Sequence, residues 1–152
     1  MSGAVLRTDG GARGNPGPAG CGFVIESDGE LVCTGGRFLG VATNNVAEYE
    51  ALIWGLENAR ACGFSSITVF ADSELLVKQL NGQYKVKNAG LKPLHARASA
   101  LLREFTNAEV RHVRREMNAA ADALANAAMD ERATVGSPRC EPGGSVAQSS
   151  LF

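Results

Sequence analysis

The chain has 152 residues, 45% of them hydrophobic, and a net charge of −1. That is enough for one compact domain with a real core, and it gives no global basic field of the kind that announces a nucleic-acid partner. There is no run of about 18 apolar residues to cross a bilayer, and Met1-Ser2-Gly3-Ala4-Val5-Leu6-Arg7 lacks a signal-peptide layout. The cytoplasm is therefore the expected compartment, with a monomer and no membrane contact. Cys21, Cys33, Cys62 and Cys140 form neither a CxxC pair nor a zinc spacing, so buried thiols are expected rather than a disulfide or a zinc site.

Ala4 to Thr8 reads as a first strand and Gly10 to Pro18 as a Gly/Pro-rich loop. Cys21 to Glu26 reads as a second strand. Asp28-Gly29 is a strong hairpin signal, and Leu31 to Leu39 returns as a third strand. The pattern then changes to a helical period, with Val46, Tyr49, Ile53 and Leu56 on one face, and Cys62-Gly63 closes that helix. Ser66 to Ala71 is a continuous apolar run, as in a buried parallel strand. Glu74 to Leu80 is a short helix, and Gln83 to Pro93 is polar and basic. Leu94 to Phe105 is a further helix, Ala108 to Val113 a fifth strand, and Asn118 to Met129 an Ala-rich helix with Asn118 as N-cap. The order βββαβααβα implies an α/β fold, a mixed five-stranded sheet flanked by helices. The domain is expected over residues 1–131. Residues 132–152 turn to Ser, Gly, Pro and Ala and are expected to form a disordered tail.

Four carboxylates stand at chosen places: Asp9 and Asp72 at strand ends, Glu48 at a helix start, and Asp122 in the last helix. Each has an ordinary reading. Asp9 could begin a turn, Glu48 could belong to a capping box with Asn45 as N-cap, Asp72 could cap the next helix, and Asp122 could face solvent. Together they imply more. If the first and fourth strands are adjacent and parallel, Asp9 and Asp72 reach one place, where ligands of open α/β sheets bind. Clustered acids are costly unless cations neutralise them, so the set points to divalent metal and phosphoryl chemistry.

The other motifs are read against plain alternatives. Gly11, Gly14 and Gly17 match neither a dinucleotide fingerprint nor a P-loop. The loop is either a turn or bare backbone laid, with Asn15, against a sugar-phosphate strand. Thr43-Asn44-Asn45 either caps a helix or offers phosphate contacts at its positive end. Tyr84-Lys85-Val86-Lys87 is either a solvated loop or a backbone-binding segment. His112 falls in a predicted strand, which disfavours a histidine-based mechanism, and Trp54 reads as core.

Taken together, Thr8-Asp9-Gly10-Gly11-Ala12-Arg13-Gly14-Asn15-Pro16-Gly17, Thr43-Asn44-Asn45-Val46-Ala47-Glu48-Tyr49, Ala71-Asp72-Ser73 and Asn118-Ala119-Ala120-Ala121-Asp122 resemble the four motifs of type 1 ribonuclease H, in order, across Ala4 to Asp130. The resemblance implies endonucleolytic cleavage of the RNA strand of an RNA–DNA hybrid, leaving 5′-phosphate and 3′-hydroxyl ends. By resemblance, Asp9, Glu48, Asp72 and Asp122 hold two Mg²⁺ ions, with Mn²⁺ able to substitute, about 4 Å apart. Gly14, Asn15, Thr43, Asn44, Asn45, Tyr84, Lys85, Lys87 and Arg115 are the corresponding substrate-binding candidates. Three departures stand out. The histidine that many members carry before the fourth acid is missing, with Arg115 in that region. The long basic protrusion is reduced to residues 83–88. Glu74 adds negative charge two residues after Asp72. Two alternatives stay open: a hybrid-binding module with weak or no catalysis, and a broader nuclease that also cuts double-stranded RNA.

Overall fold

A computed structural model of the protein describes residues 3–137. Its elements are β1 (Gly3–Ala12), β2 (Gly17–Ser27), β3 (Glu30–Ala42), α1 (Asn44–Ala61), β4 (Ser66–Ala71), α2 (Glu74–Leu80), α3 (Lys92–Leu102), β5 (Asn107–His112), a 3-10 turn (Arg115–Asn118) and α4 (Ala119–Glu131). The expected order therefore holds, in a single sheet with strand order β3-β2-β1-β4-β5. The β1–β2 and β2–β3 pairs are antiparallel, and β1–β4 and β4–β5 are parallel. Asp28 and Gly29 take positive φ values of 54° and 77° and form the two-residue turn of the β2–β3 hairpin.

Alternation along the strands sorts side chains to two faces. Leu6, Phe23, Ile25 and Val69 are buried with Leu52, Trp54 and Leu56 of α1, and Phe23 meets Trp54 edge-on at 4.9 Å. The Arg37 guanidinium lies 4.1 Å over Trp54. The other face of β2 carries glycines because α4 lies directly on it. A Cβ on Gly22 would fall 2.5 Å from Ala121 O and 2.9 Å from Ala125 N. The helix answers with small residues, burying Ala121, Ala125 and Ala128.

Several boundaries differ from the sequence reading. Gly10, Gly11 and Ala12 are strand, paired with Cys21, Gly20 and Ala19, so the glycine loop shrinks to residues 13–16. Helix α3 starts two positions earlier, with Pro93 in its first turn, where its missing N–H costs nothing. The N-cap of α1 is Thr43, not Asn45, and its Oγ1 accepts from Val46 N at 3.2 Å. Asn118 makes no capping bond. Of residues 132–137, assigned to the tail, Val135 to Ser137 run beside β3. Gly36 N donates to Val135 O at 3.0 Å, and Val135 N returns a bond to Gly36 O at 2.8 Å. The rest of the expected tail lies outside the described residues. Cys21 and Cys33 are buried and outside any disulfide, whereas Cys62 is disulfide-bonded, which the cysteine spacing gave no sign of. Among the described residues no helix is long and apolar enough to cross a membrane.

Candidate metal centre and nucleic-acid groove

The β1–β4 ladder ends at the pair Thr8↔Ala71. The next residue on each strand is therefore an acid, Asp9 and Asp72, side by side at the carboxyl ends of two parallel neighbours. Glu48 comes from the second turn of α1. Helix α1 approaches so closely that a Cβ on Gly10 would collide with the Ala47 carbonyl and lie 2.7 Å from Glu48 N. One carboxylate oxygen from each of Asp9, Glu48 and Asp72 lies within 4.8 Å of the others. Asp122, in the first turn of α4, lines the same groove as Asp9 and Glu48, close enough for its carboxyl to raise the pKa of Asp9.

The ordinary readings of these acids fail on the geometry. With Thr43 as N-cap, Glu48 lies beyond capping-box range. The cap of α2 is Ser73, whose Oγ accepts from Leu76 N at 3.2 Å, so Asp72 is free of that duty. Asp122 is half-buried in the groove wall rather than turned to solvent.

Electrostatics agree with the crowding. Asp9 is 7% exposed, and burial, then the Asp72 charge and the contact with Asp122, push its pKa up to about 8. Glu48 is held well above the usual carboxylate range by burial and by Asp9 and Asp72, with Arg115 pulling the other way. Its Oε1 is buried and makes no hydrogen bond. An all-oxygen set with an unused buried acceptor, in which crowding and burial disfavour the charged form of Asp9 and Glu48, fits a hard divalent cation.

The groove has a volume of about 340 Å³, with Asn44, Arg13, Arg115 and Asn126 among its walls. Asn44 Oδ1 accepts from Ala12 N at 2.8 Å, and Asn15 Oδ1 accepts from Asn44 N at 3.0 Å. Both amides therefore turn their NH₂ ends outward as donors. Gly14 sits at φ +93° in the turn before Asn15. Asn45 is exposed on the first turn of α1, and Thr43 is occupied by its cap bond. Arg115 opens the 3-10 turn at the groove edge. Tyr84, Lys85 and Lys87 are exposed in the segment after α2 and do not line this groove. The Tyr84 ring instead lies 4.9 Å under Lys78 Nζ. Glu74 is paired with Lys78 at 3.2 Å, and His112 is exposed at the end of β5.

The sequence reading passed over two groove residues. Arg13 spans from the glycine turn to α4, meeting Asp130 at 2.7 Å and Asn126 Oδ1 at 3.2 Å. Asn126 in turn donates to Asp122 O at 3.0 Å. The basic residue inside a Gly/Pro-rich stretch was the available signal for Arg13. Asn126, four residues after Asp122 on the same helix, shares its face.

A family model described as reverse transcriptase-like matches residues 7–128. Over 124 residues the chain is 48% identical to ribonuclease HI of Halobacterium salinarum, an alignment covering 81% of this chain and 62% of that protein. The chain belongs to the type 1 ribonuclease H family. The crystal structure of RNase H1 from the same archaeon matches at TM-score 0.83 and 45% identity, covering 85% of this chain and 98% of that one. LC11-RNase H1, solved in complex with an RNA/DNA hybrid, matches at TM-score 0.81 and 44% identity, covering 85% and 98%. The N-terminal RNase H domain of a Mycobacterium tuberculosis protein matches at TM-score 0.84 and 42% identity, covering 86% and 96%. The chain spans 62% of the length of the halobacterial ribonuclease HI and 41% of the curated mycobacterial protein, which is named bifunctional.

Proposed function

We propose that the protein is an endoribonuclease that cleaves the RNA strand of RNA–DNA hybrids with two divalent ions, Mg²⁺ or Mn²⁺, leaving 5′-phosphate and 3′-hydroxyl ends. The observation that carries this reading is the convergence of Asp9, Glu48 and Asp72 within 4.8 Å, where Arg115 at the groove edge offsets only part of their charge. A structural cluster would hold an arginine or lysine in its centre. These three and Asp122 would hold the metal. When bound, such ions supply an activated water for in-line attack and neutralise charge on the scissile phosphate and leaving oxygen.

The chain's own residues then bind and orient. The outward NH₂ groups of Asn15 and Asn44 are suited to acceptors in the minor groove of a hybrid, the wide groove that displays 2′-hydroxyls. Asn45 and the Gly14 turn flank them, and Thr43 stands at the positive end of α1, where a DNA-strand phosphate is favoured. Arg115 offers a cation to the phosphate at the groove edge. Tyr84, Lys85 and Lys87 lie outside the groove, and their role is contact with the duplex backbone further along. Because this basic segment is short, it should add only a few phosphate contacts, so hybrid affinity should be modest and its salt slope shallow.

The deciding experiment incubates end-labelled RNA–DNA hybrid, single-stranded RNA, double-stranded RNA and double-stranded DNA with Mg²⁺ or Mn²⁺, beside an Asp9→Asn control. The expected result is metal-dependent cutting of the hybrid's RNA strand alone, lost in the control. Binding without cutting would replace this reading with a hybrid-binding module, and cutting of double-stranded RNA would replace it with a broader nuclease.

A further inference from the structure

We propose that Asn118 is a positioning residue whose side-chain amide holds Asp72 and the end of β1 in the arrangement that a divalent cation requires. The inference rests on the metal-dependent reading above.

Asn118 closes the 3-10 turn at the entry to α4 and is 1% exposed. It stands where an N-cap is expected, yet it makes no cap bond. Its Nδ2 instead donates to Thr8 O at 2.7 Å and to Asp72 Oδ2 at 3.2 Å. Thr8 immediately precedes Asp9, and Thr8↔Ala71 is the last pair of the β1–β4 ladder. One NH₂ group therefore clasps both strand ends from which the metal ligands project. The orientation of the amide is fixed by its partners. The flipped rotamer would press Oδ1 against a carbonyl oxygen and a carboxylate. The price of this arrangement is visible in Oδ1, which is buried and without a hydrogen bond. A residue kept for helix capping would have used that oxygen.

The clasp matters because the acids repel one another. Asp72 faces Asp9 and Glu48 at close range, and without a donor its carboxylate would rotate away before a cation arrives. Hydrogen bonds to ligating carboxylates are what set ligand orientation at metal sites, and their loss typically costs roughly 10–100-fold in metal affinity or activity. Asn118 touches no substrate in this reading and acts through Asp72.

The test compares wild type with Asn118→Ala, each checked for folding by circular dichroism. The readouts are direct Mn²⁺ titration and hybrid cleavage across a range of Mn²⁺ concentrations. The expected result is a 10–100-fold weaker Mn²⁺ affinity and a matching rise in half-saturating Mn²⁺, with the rate recovering at saturating metal. Hybrid affinity without metal should be unchanged. A purely structural role would lower folded yield or melting temperature but leave the metal dependence of the folded fraction alone, and that outcome overturns the proposal. If Asn118→Ala does not fold, the wild type itself decides the matter. The Asn118 side-chain amide resonances should shift during Mg²⁺ titration with the same midpoint as the backbone amides beside Asp9, and their failure to move would overturn it. Wild type that neither binds Mn²⁺ nor cuts hybrid defeats the nuclease reading itself. Active wild type with an unaltered variant defeats only the assignment of Asn118.

Discussion

Asp9 keeps a proton at neutral pH when no cation is beside it, and that has a sign. Its ordinary value is 3.8 and its folded value about 8. Between these the native state binds more protons than the unfolded chain, so stability falls as pH rises. The contribution is fully present below about 4 and is lost as the pH climbs through about 8. Melting of the metal-free protein across that range should show the decline, and Asp9→Asn should flatten it. Mn²⁺ binding should displace protons, so affinity should rise over the same window. Asp72 stands differently, as an acid fixed by a donated hydrogen bond from Asn118. Asp72→Asn should lower cleavage by more than the roughly 100-fold typical of outer-shell losses and leave hybrid binding intact, as measured by filter binding. Residual cleavage near the wild-type level would remove Asp72 from the ligand set. The acids were legible one by one because each follows a strand or lies near a helix start. The second partners of Asn118 were not, since Thr8 and Asp72 reach it from remote parts of the chain and only the fold brings them together.

At the level of elements, the difficult stretch was Gly10 to Ala12. Glycine is a strong marker of loops, but here its missing side chain serves packing. The Ala47 carbonyl and Glu48 N occupy the space where a Gly10 Cβ would sit. Gly10→Ala should therefore destabilise by at least the roughly 1–3 kcal/mol usual for overpacking, read from urea melts, and cleavage should fall with it because α1 carries Glu48. Thr43→Ala should cost about 1 kcal/mol through the lost cap, a smaller effect that leaves the acids in place. The position of that cap could not be read from Thr43-Asn44-Asn45 alone, since all three residue types cap helices. The strands, the hairpin turn and the two short helices were legible because period and turn chemistry agree there. The Gly22 and Ala121 contact was not, because it needs knowledge of which helix crosses which strand.

Across the whole molecule, the near-zero net charge conceals an uneven distribution: acids gathered at the ends of β1 and β4, and cations at the groove margin and after α2. A bound divalent ion should therefore stabilise the folded state strongly. At a concentration 100 times its Kd, mass action predicts about 2.7 kcal/mol, visible as a rise in melting temperature with Mn²⁺ that Asp9→Asn largely abolishes. A rise of equal size in that variant would place the ion elsewhere. Composition suggested where the domain ends, but it could not foresee that residues 135–137 lie along β3, because edge pairing depends on backbone groups rather than side-chain type.

Strand β1 is enclosed on both sides, by antiparallel β2 and parallel β4, and Leu6 and Thr8 are buried within it. Its amides should be the slowest in the protein to exchange with deuterium, opening only when the entire sheet comes apart. Asp9 is carried on that strand. Fraying at β5 can therefore proceed without moving Asp9, whereas Glu48 near the start of α1 and Asp122 in the first turn of α4 ride on helix ends that open more easily. Heat inactivation should therefore begin slightly below global unfolding, with Asp9 the last of the four acids to lose its place.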